Sequence, residues 1–151
     1  VPRPPYVAVV GGTDASPADL ERAEAVGRLL AEAGAILVTG GREGVATAAS
    51  RGATEAGGIA VGILPGRTRA EANPWVTVAV PTGLGETRNA LVVMDADAVV
   101  AFPGAYGTLS EVAHGLLGER TVVSLGGWAI PGVIEASDPA EAVRLALSDR
   151  T

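Results

Sequence analysis

The sequence has 151 residues, a formal charge of −6, no cysteine, and eleven basic residues that are all arginine. That length suits one domain with a substantial core, and the missing cysteine excludes disulfides, thiolate metal sites and cysteine nucleophiles and fits a reducing compartment, so a cytoplasmic location is expected. The missing lysine excludes a Schiff base with pyridoxal phosphate and the lysine of P-loop ATPases, and the acidity argues against nucleic acid as a partner, because such binding rests on clustered cations.

In chain order, Val1 to Pro5 reads as a proline-stiffened lead-in without the apolar stretch of a secretory signal, and a single domain is expected over residues 6–151. "YVAVV" (Tyr6 to Val10) is apolar and does not alternate, the pattern of a strand buried on both faces. After the turn "GGTDAS" comes a helix from Pro17 to Ala33, with Ser16 as N-cap, Pro17 in the first helical position and Gly34 as its stop. Leu20, Ala23, Val26, Gly27 and Leu30 form its apolar stripe. "AILVT" (Ala35 to Thr39), the turn "GGREG", a helix over Ala46 to Ala56 and "IAVGIL" (Ile59 to Leu64) repeat the alternation. A loop bearing Arg67 and Arg69, with the potential to close over a site, leads to a short edge strand, "VTVAV" (Val76 to Val80).

A helix is expected over Thr87 to Met94, and Asp95 and Asp97 make the turn before the strand "AVVAF" (Ala98 to Phe102). The turn "FPGAYGT" opens a helix from Thr108 to Leu117. "TVVSL" (Thr121 to Leu125) is the next strand, and a last helix begins near Ser137 and Asp138, with Pro139 in its first turn and Val143, Leu145 and Leu147 among its apolar residues. No run reaches the roughly 18 apolar residues of a membrane span, so no membrane partner is expected. The alternation predicts an α/β fold, a single-domain three-layer sandwich with a mainly parallel sheet covered by helices on both faces.

In such sheets ligands bind beyond the carboxyl ends of the strands, where strand order reverses. Three glycine-bearing turns converge there: Gly11, Gly12 and Thr13; Gly40, Gly41 and Gly44; and Gly104, Ala105, Tyr106, Gly107 and Thr108. Glycine lets backbone approach an anion, and a helix start supplies free N–H groups and the positive end of the helix dipole. The expected partner is a small phosphorylated ligand, its phosphate on Gly107 and Thr108 and its floor shaped by Gly12, Thr13, Gly40 and Gly41. Each hydrogen bond to phosphate contributes roughly 1.5 to 3 kcal/mol. No turn carries the GxGxxG fingerprint of dinucleotide binding.

Arg88 is either a solvated arginine or a charge placed for a phosphate or leaving group. Glu111 has two readings. Thr108 and Glu111 match the T-x-x-E capping box, which is purely structural. Alternatively, Glu111 points past the phosphate, since a carboxylate about 4 Å away would be opposed by about 4 kcal/mol at an effective dielectric near 20; it then faces a sugar, where it stabilises an oxocarbenium ion or orients water. His114 has no second histidine or cysteine, so no metal site is expected. Arg42 could hold phosphate or lie exposed.

"TGG" followed by Gly44, then "TRN", then "FPGAYGTLSE" resemble the Rossmann-like superfamily. That superfamily includes the lonely-guy cytokinin-activating phosphoribohydrolases, proteins labelled lysine-decarboxylase-like, and molybdenum-cofactor carrier proteins. The resemblance runs from about Tyr6 to Leu125. Pro103, Gly104, Gly107, Thr108 and Glu111 match its PGGxGTxxE motif, with Ala105 in place of the second glycine. It implies that Glu111 and Arg88 are the catalytic pair if the chain is a phosphoribohydrolase releasing a base from a nucleoside 5'-monophosphate. Asn89 stands where those enzymes carry lysine, and Ser110 where they carry a first glutamate. The "RN" version is similar to the carrier group, which implies a binding protein with molybdenum cofactor as cargo. The resemblance also implies a homodimer or homotetramer. Its DNA-processing members bind single strands, a role the acidity disfavours.

Overall fold

The computed structural model describes residues 1–148; the last three positions of the expected domain lie outside the described residues. Seven strands form one parallel sheet: β1 (Tyr6–Val10), β2 (Ile36–Thr39), β3 (Ala60–Leu64), β4 (Val78–Pro81), β5 (Ala98–Ala101), β6 (Thr121–Ser124) and β7 (Ile134–Glu135). Their spatial order is β4-β3-β2-β1-β5-β6-β7, and every neighbouring pair is parallel. The chain grows outward from β1 in one direction, then returns to β1's other side with β5, so the order reverses between β1 and β5.

Helices α1 (Pro17–Glu32), α2 (Val45–Glu55) and α5 (Pro139–Leu147) cover one face, and α3 (Asn89–Met94) and α4 (Tyr106–Leu117) the other. The strands lack hydrophobic alternation because both faces are buried. Val7 and Val9 pack under α1 and α2, while Ala8 and Val10 join Val92, Val93 and Val112 on the opposite side. Helices α1 and α2 touch backbone to backbone. A Cβ on Gly27 would lie 2.0 Å from the Ala49 carbonyl oxygen, so Gly27 in the predicted stripe is a packing requirement.

Ser16 caps α1 by accepting from the Asp19 N–H, Pro17 occupies its first turn, and Gly34 follows at φ +78°. Asp138 caps α5 in the same way, accepting from the Glu141 N–H at 2.8 Å. Strand β4 lies at one sheet edge with Val78 and Val80 exposed. At the other edge β7, two residues long, carries too little pattern to be read from sequence. The Pro5 carbonyl already accepts from the Ile36 N–H at 2.8 Å, so the lead-in joins the sheet at its last residue. No helix among the described residues is long and apolar enough to cross a membrane.

Two helix starts differ from expectation. Residues Gly85–Arg88 form a separate 3-10 turn, opened by Gly83 and Gly85 at φ +69° and +60°, so Thr87 and Arg88 belong to that turn and α3 starts at Asn89. Helix α4 begins at Tyr106 with Ala105 as its cap, two residues before Thr108. The Thr108–Glu111 capping box is therefore not formed: Thr108 sits inside the first turn, and Glu111 lies one turn further along the same face.

Candidate functional site

Beyond the ends of β1, β2 and β5 lies a cleft of about 750 Å³. Its walls are the three glycine turns, drawn together by backbone hydrogen bonds. The Gly12 N–H donates to the Pro103 carbonyl at 2.9 Å, and the Gly12 carbonyl accepts from the Val45 N–H at 3.2 Å. Close approach is required where these turns meet. A Cβ on Gly104 would lie 2.1 Å from Thr108 Oγ1 and 3.0 Å from the Gly12 nitrogen. Gly44 has φ +71°, and a Cβ there would lie 2.2 Å from the Gly12 oxygen.

Helices α2 and α4 both begin at this cleft, and neither has a side-chain hydrogen bond at its cap. Helix α4 presents the backbone of Gly107 and Thr108 to the cleft. First-turn N–H groups have no partner within their own helix and carry the positive end of its dipole, so this wall suits an anion. The Trp128 indole N–H donates to the Ala105 carbonyl at 3.3 Å and braces the turn from behind.

Arg88 crosses the cleft from the 3-10 turn. Its guanidinium lies over Gly40, where an added Cβ would be 3.0 Å from Nη2 and would press the guanidinium outward. One of its terminal nitrogens donates to the Asn89 carboxamide oxygen, and the Asn89 amide reaches Glu86 at 3.4 Å. Arg88 Nε is buried without a hydrogen-bond partner. The guanidinium as a whole adds a fixed positive charge to the wall that the α4 N–H groups form.

Glu111 is 8 % exposed. Burial pushes its carboxyl up to about 8 from the ordinary 4.5; the Arg88 guanidinium pulls it back down, and the Glu86 carboxylate adds to the rise. At neutral pH it is mostly the uncharged acid, which removes the repulsion a carboxylate there would exert on a phosphate.

Of the residues singled out from sequence, the structure brings Gly11, Gly12, Thr13, Gly40, Arg88, Gly104, Ala105, Gly107, Thr108 and Glu111 onto one cleft. Gly41, Gly44 and Tyr106 do not line it. Gly41 packs toward Gly62 and Leu64, Gly44 joins the first two turns, and Tyr106 points outward, 81 % exposed. Arg42 lines the cleft, whereas Arg67 and Arg69 stand away from it. His114 is exposed, its ring nitrogen 2.8 Å from the Ser110 carbonyl, and the described residues hold no cluster of metal-ligating side chains. Sequence reasoning missed Asp14, Asp19, Glu43, Glu86 and Asn89 in the lining. Asp14 and Glu43 lie inside two of the glycine turns and Asp19 in the helical turn after the first, whereas Glu86 and Asn89 flank Arg88 just after a fourth glycine-bearing segment, Gly83 to Gly85, which the three-turn reading leaves out.

The molecule is thus a parallel α/β protein with a cleft at its topological switch point, bordered by Arg88 and the uncapped starts of α2 and α4. The chain belongs to the SLOG cluster4 family, whose profile matches residues 4–149. It is similar to the structure of a molybdenum cofactor binding protein from the phototrophic bacterium Rippkaea orientalis, at 38% identity and a TM-score of 0.90, covering 97% of each chain. It is also similar to the molybdenum cofactor carrier protein of Chlamydomonas reinhardtii, at 34% identity and a TM-score of 0.83 over 93% of this chain and 94% of that one. An uncharacterized protein of Archaeoglobus fulgidus is 36% identical over 146 residues, 94% of each chain.

Proposed function

We propose that this protein binds a small phosphorylated ligand of pterin or nucleotide type in the switch-point cleft, with molybdenum cofactor as its cargo. The observation that carries the reading is the Arg88 guanidinium on the same cleft as the uncapped start of α4. A phosphate laid against Gly107 and Thr108 has N–H donors on one side and the guanidinium on another. The cleft volume of about 750 Å³ falls within the usual range for small-molecule sites. The names of the two similar structures, a cofactor binding protein and a cofactor carrier, support the choice of cargo.

Calorimetric titration with AMP and, anaerobically, with molybdenum cofactor tests the proposal. The expected result is one site per chain that weakens in Arg88→Ala. No binding of either at millimolar concentration to folded protein overturns it.

One observation favours a second reading, phosphoribohydrolase activity. Glu111, pushed up to about 8, is a carboxyl that holds its proton at neutral pH beside Arg88, as a general acid for a departing base must. Base release from AMP or a cytokinin monophosphate measures it directly. Release at the same rate in Glu111→Ala excludes that role for Glu111.

A further inference from the structure

We propose, building on the binding reading above, that Glu111 takes part in the site as a neutral carboxylic acid that donates its O–H to an anionic oxygen of the bound phosphate. The cleft then takes up its ligand together with a proton and lets go of both as pH rises.

The geometry leads there in three steps. Glu111 lies on the cleft-lining face of α4 one turn beyond Thr108, so it meets the same volume as the first-turn N–H groups. It is more than nine-tenths buried, and its carboxyl has no hydrogen bond among the described residues. Beside it stand the donors of the α4 first turn and the Arg88 guanidinium, together with one carboxylate, Glu86, which further disfavours a charge on Glu111. A carboxylate at that place would compete with phosphate for Arg88 and repel it. A carboxylic acid adds one more donor to the set.

The charged groups around it are few. Arg88 and Glu86 act on it from the 3-10 turn, and Asp14 and Asp19 after β1 and Arg42 and Glu43 after β2 line the same cleft. Helix α3 and strands β5 and β6 bring no titratable side chain. On α4 itself, Tyr106 and His114 are exposed. Glu111 is pushed up to about 8 by its burial, so its ionisation falls inside an accessible range. For every ligand bound above that pH, one proton passes from solvent to the Glu111 carboxylate.

The experiment is calorimetry with AMP at steps from pH 7.5 to 9.5, in two buffers of different ionisation enthalpy. In this window the phosphate monoester is already dianionic, its second ionisation being near 6. The affinity of the unaltered protein is expected to fall toward a limiting slope of about tenfold per pH unit. The buffer comparison at pH 9 is expected to show close to one proton taken up per AMP. In Glu111→Gln, which keeps a donor and cannot ionise, affinity is expected to be independent of pH across the window. Binding by the unaltered protein that is flat with pH and takes up no proton overturns the proposal and leaves the binding reading standing. The same pH slope persisting in Glu111→Gln overturns it too. Absence of AMP and cofactor binding at every pH overturns both.

Discussion

Among the described residues, four long helices begin in two different ways. Helices α1 and α5 are closed by their own side chains, Ser16 and Asp138, each accepting an N–H from the first turn. Helices α2 and α4 are preceded by Gly44 and Ala105 and have no side-chain cap. An absent cap forgoes roughly 1 kcal/mol. The two uncapped starts share one cleft with the capped start of α1; at α2 the Gly12 carbonyl takes the Val45 N–H, whereas the first-turn N–H groups of α4 are left for an external anion. The contrast at that cleft is between α1, which caps itself with Ser16, and α4, whose first-turn N–H groups stay open for the proposed anion.

The largest way to break this contrast is at Gly44, where the backbone conformation and the contact with Gly12 both exclude a side chain. Gly44→Ala is expected to lose about 3 kcal/mol or more, from positive-φ strain combined with overpacking. Urea denaturation at neutral pH measures it. A loss below about 1 kcal/mol, the centre of ordinary point-mutant effects, would show that the first two turns are not locked together. Next comes Arg88→Ala, which is expected to weaken AMP binding by about 10- to 100-fold, the worth of a charge-assisted hydrogen bond. Thermal denaturation of the same variant is expected to show a loss of about 1 to 3 kcal/mol, since the buried Asn89 oxygen loses its donor.

Glu111 adds a pH dependence of stability that the capped helices do not have. Its folded value, about 8, lies above the ordinary 4.5, so the folded state binds more protons than the unfolded state between those limits. The neutral acid's contribution is complete below about 4.5 and is lost as pH rises through about 8, with a slope of up to about 1.4 kcal/mol per pH unit. Glu111→Gln is expected to flatten that slope and to stabilise the protein at pH 8 relative to pH 5. A pair of denaturation series at those two pH values decides it. Equal slopes in both proteins would mean that Glu111 ionises freely in the fold.

Much of this was legible in the sequence because of how the fold is built. Strands buried on both faces write unbroken apolar runs such as Tyr6 to Val10, and ligand turns at a switch point write glycines at the strand ends. The start of α4 was misread because Thr108 and Glu111 satisfy the capping-box spacing; what decides the actual start is the extended backbone of Ala105, which no spacing reveals. Strand β7 consists of two residues held by pairing with β6, a long-range contact that leaves no local pattern. Arg88 was legible as a charge, but its position over Gly40 depends on how the turn Gly85–Arg88 folds against the ends of β2 and β3.

The smallest expected effect is the most direct test of why α4 starts bare. Ala105 already has the extended backbone of a cap, φ −92° and ψ −150°, and its side chain is exposed. Ala105→Ser therefore supplies the missing acceptor without a clash, and its backbone carbonyl remains available to Trp128. Serine is the better choice than aspartate here, because it competes for the N–H groups without adding charge that would repel phosphate on its own. The variant is expected to gain up to about 1 kcal/mol of stability and to lose several-fold in affinity for AMP, since the donors are now occupied. Asp138→Ala is the counterpart at a closed helix start, expected to lose about 1 kcal/mol and to leave AMP affinity unchanged. Stability from denaturation and affinity from calorimetry, plotted together, should move in opposite directions only at Ala105. If Ala105→Ser gains stability and binds AMP as tightly as before, the first-turn N–H groups of α4 are not the phosphate donors, and Arg88 and the turn at Gly12 must hold the anion instead.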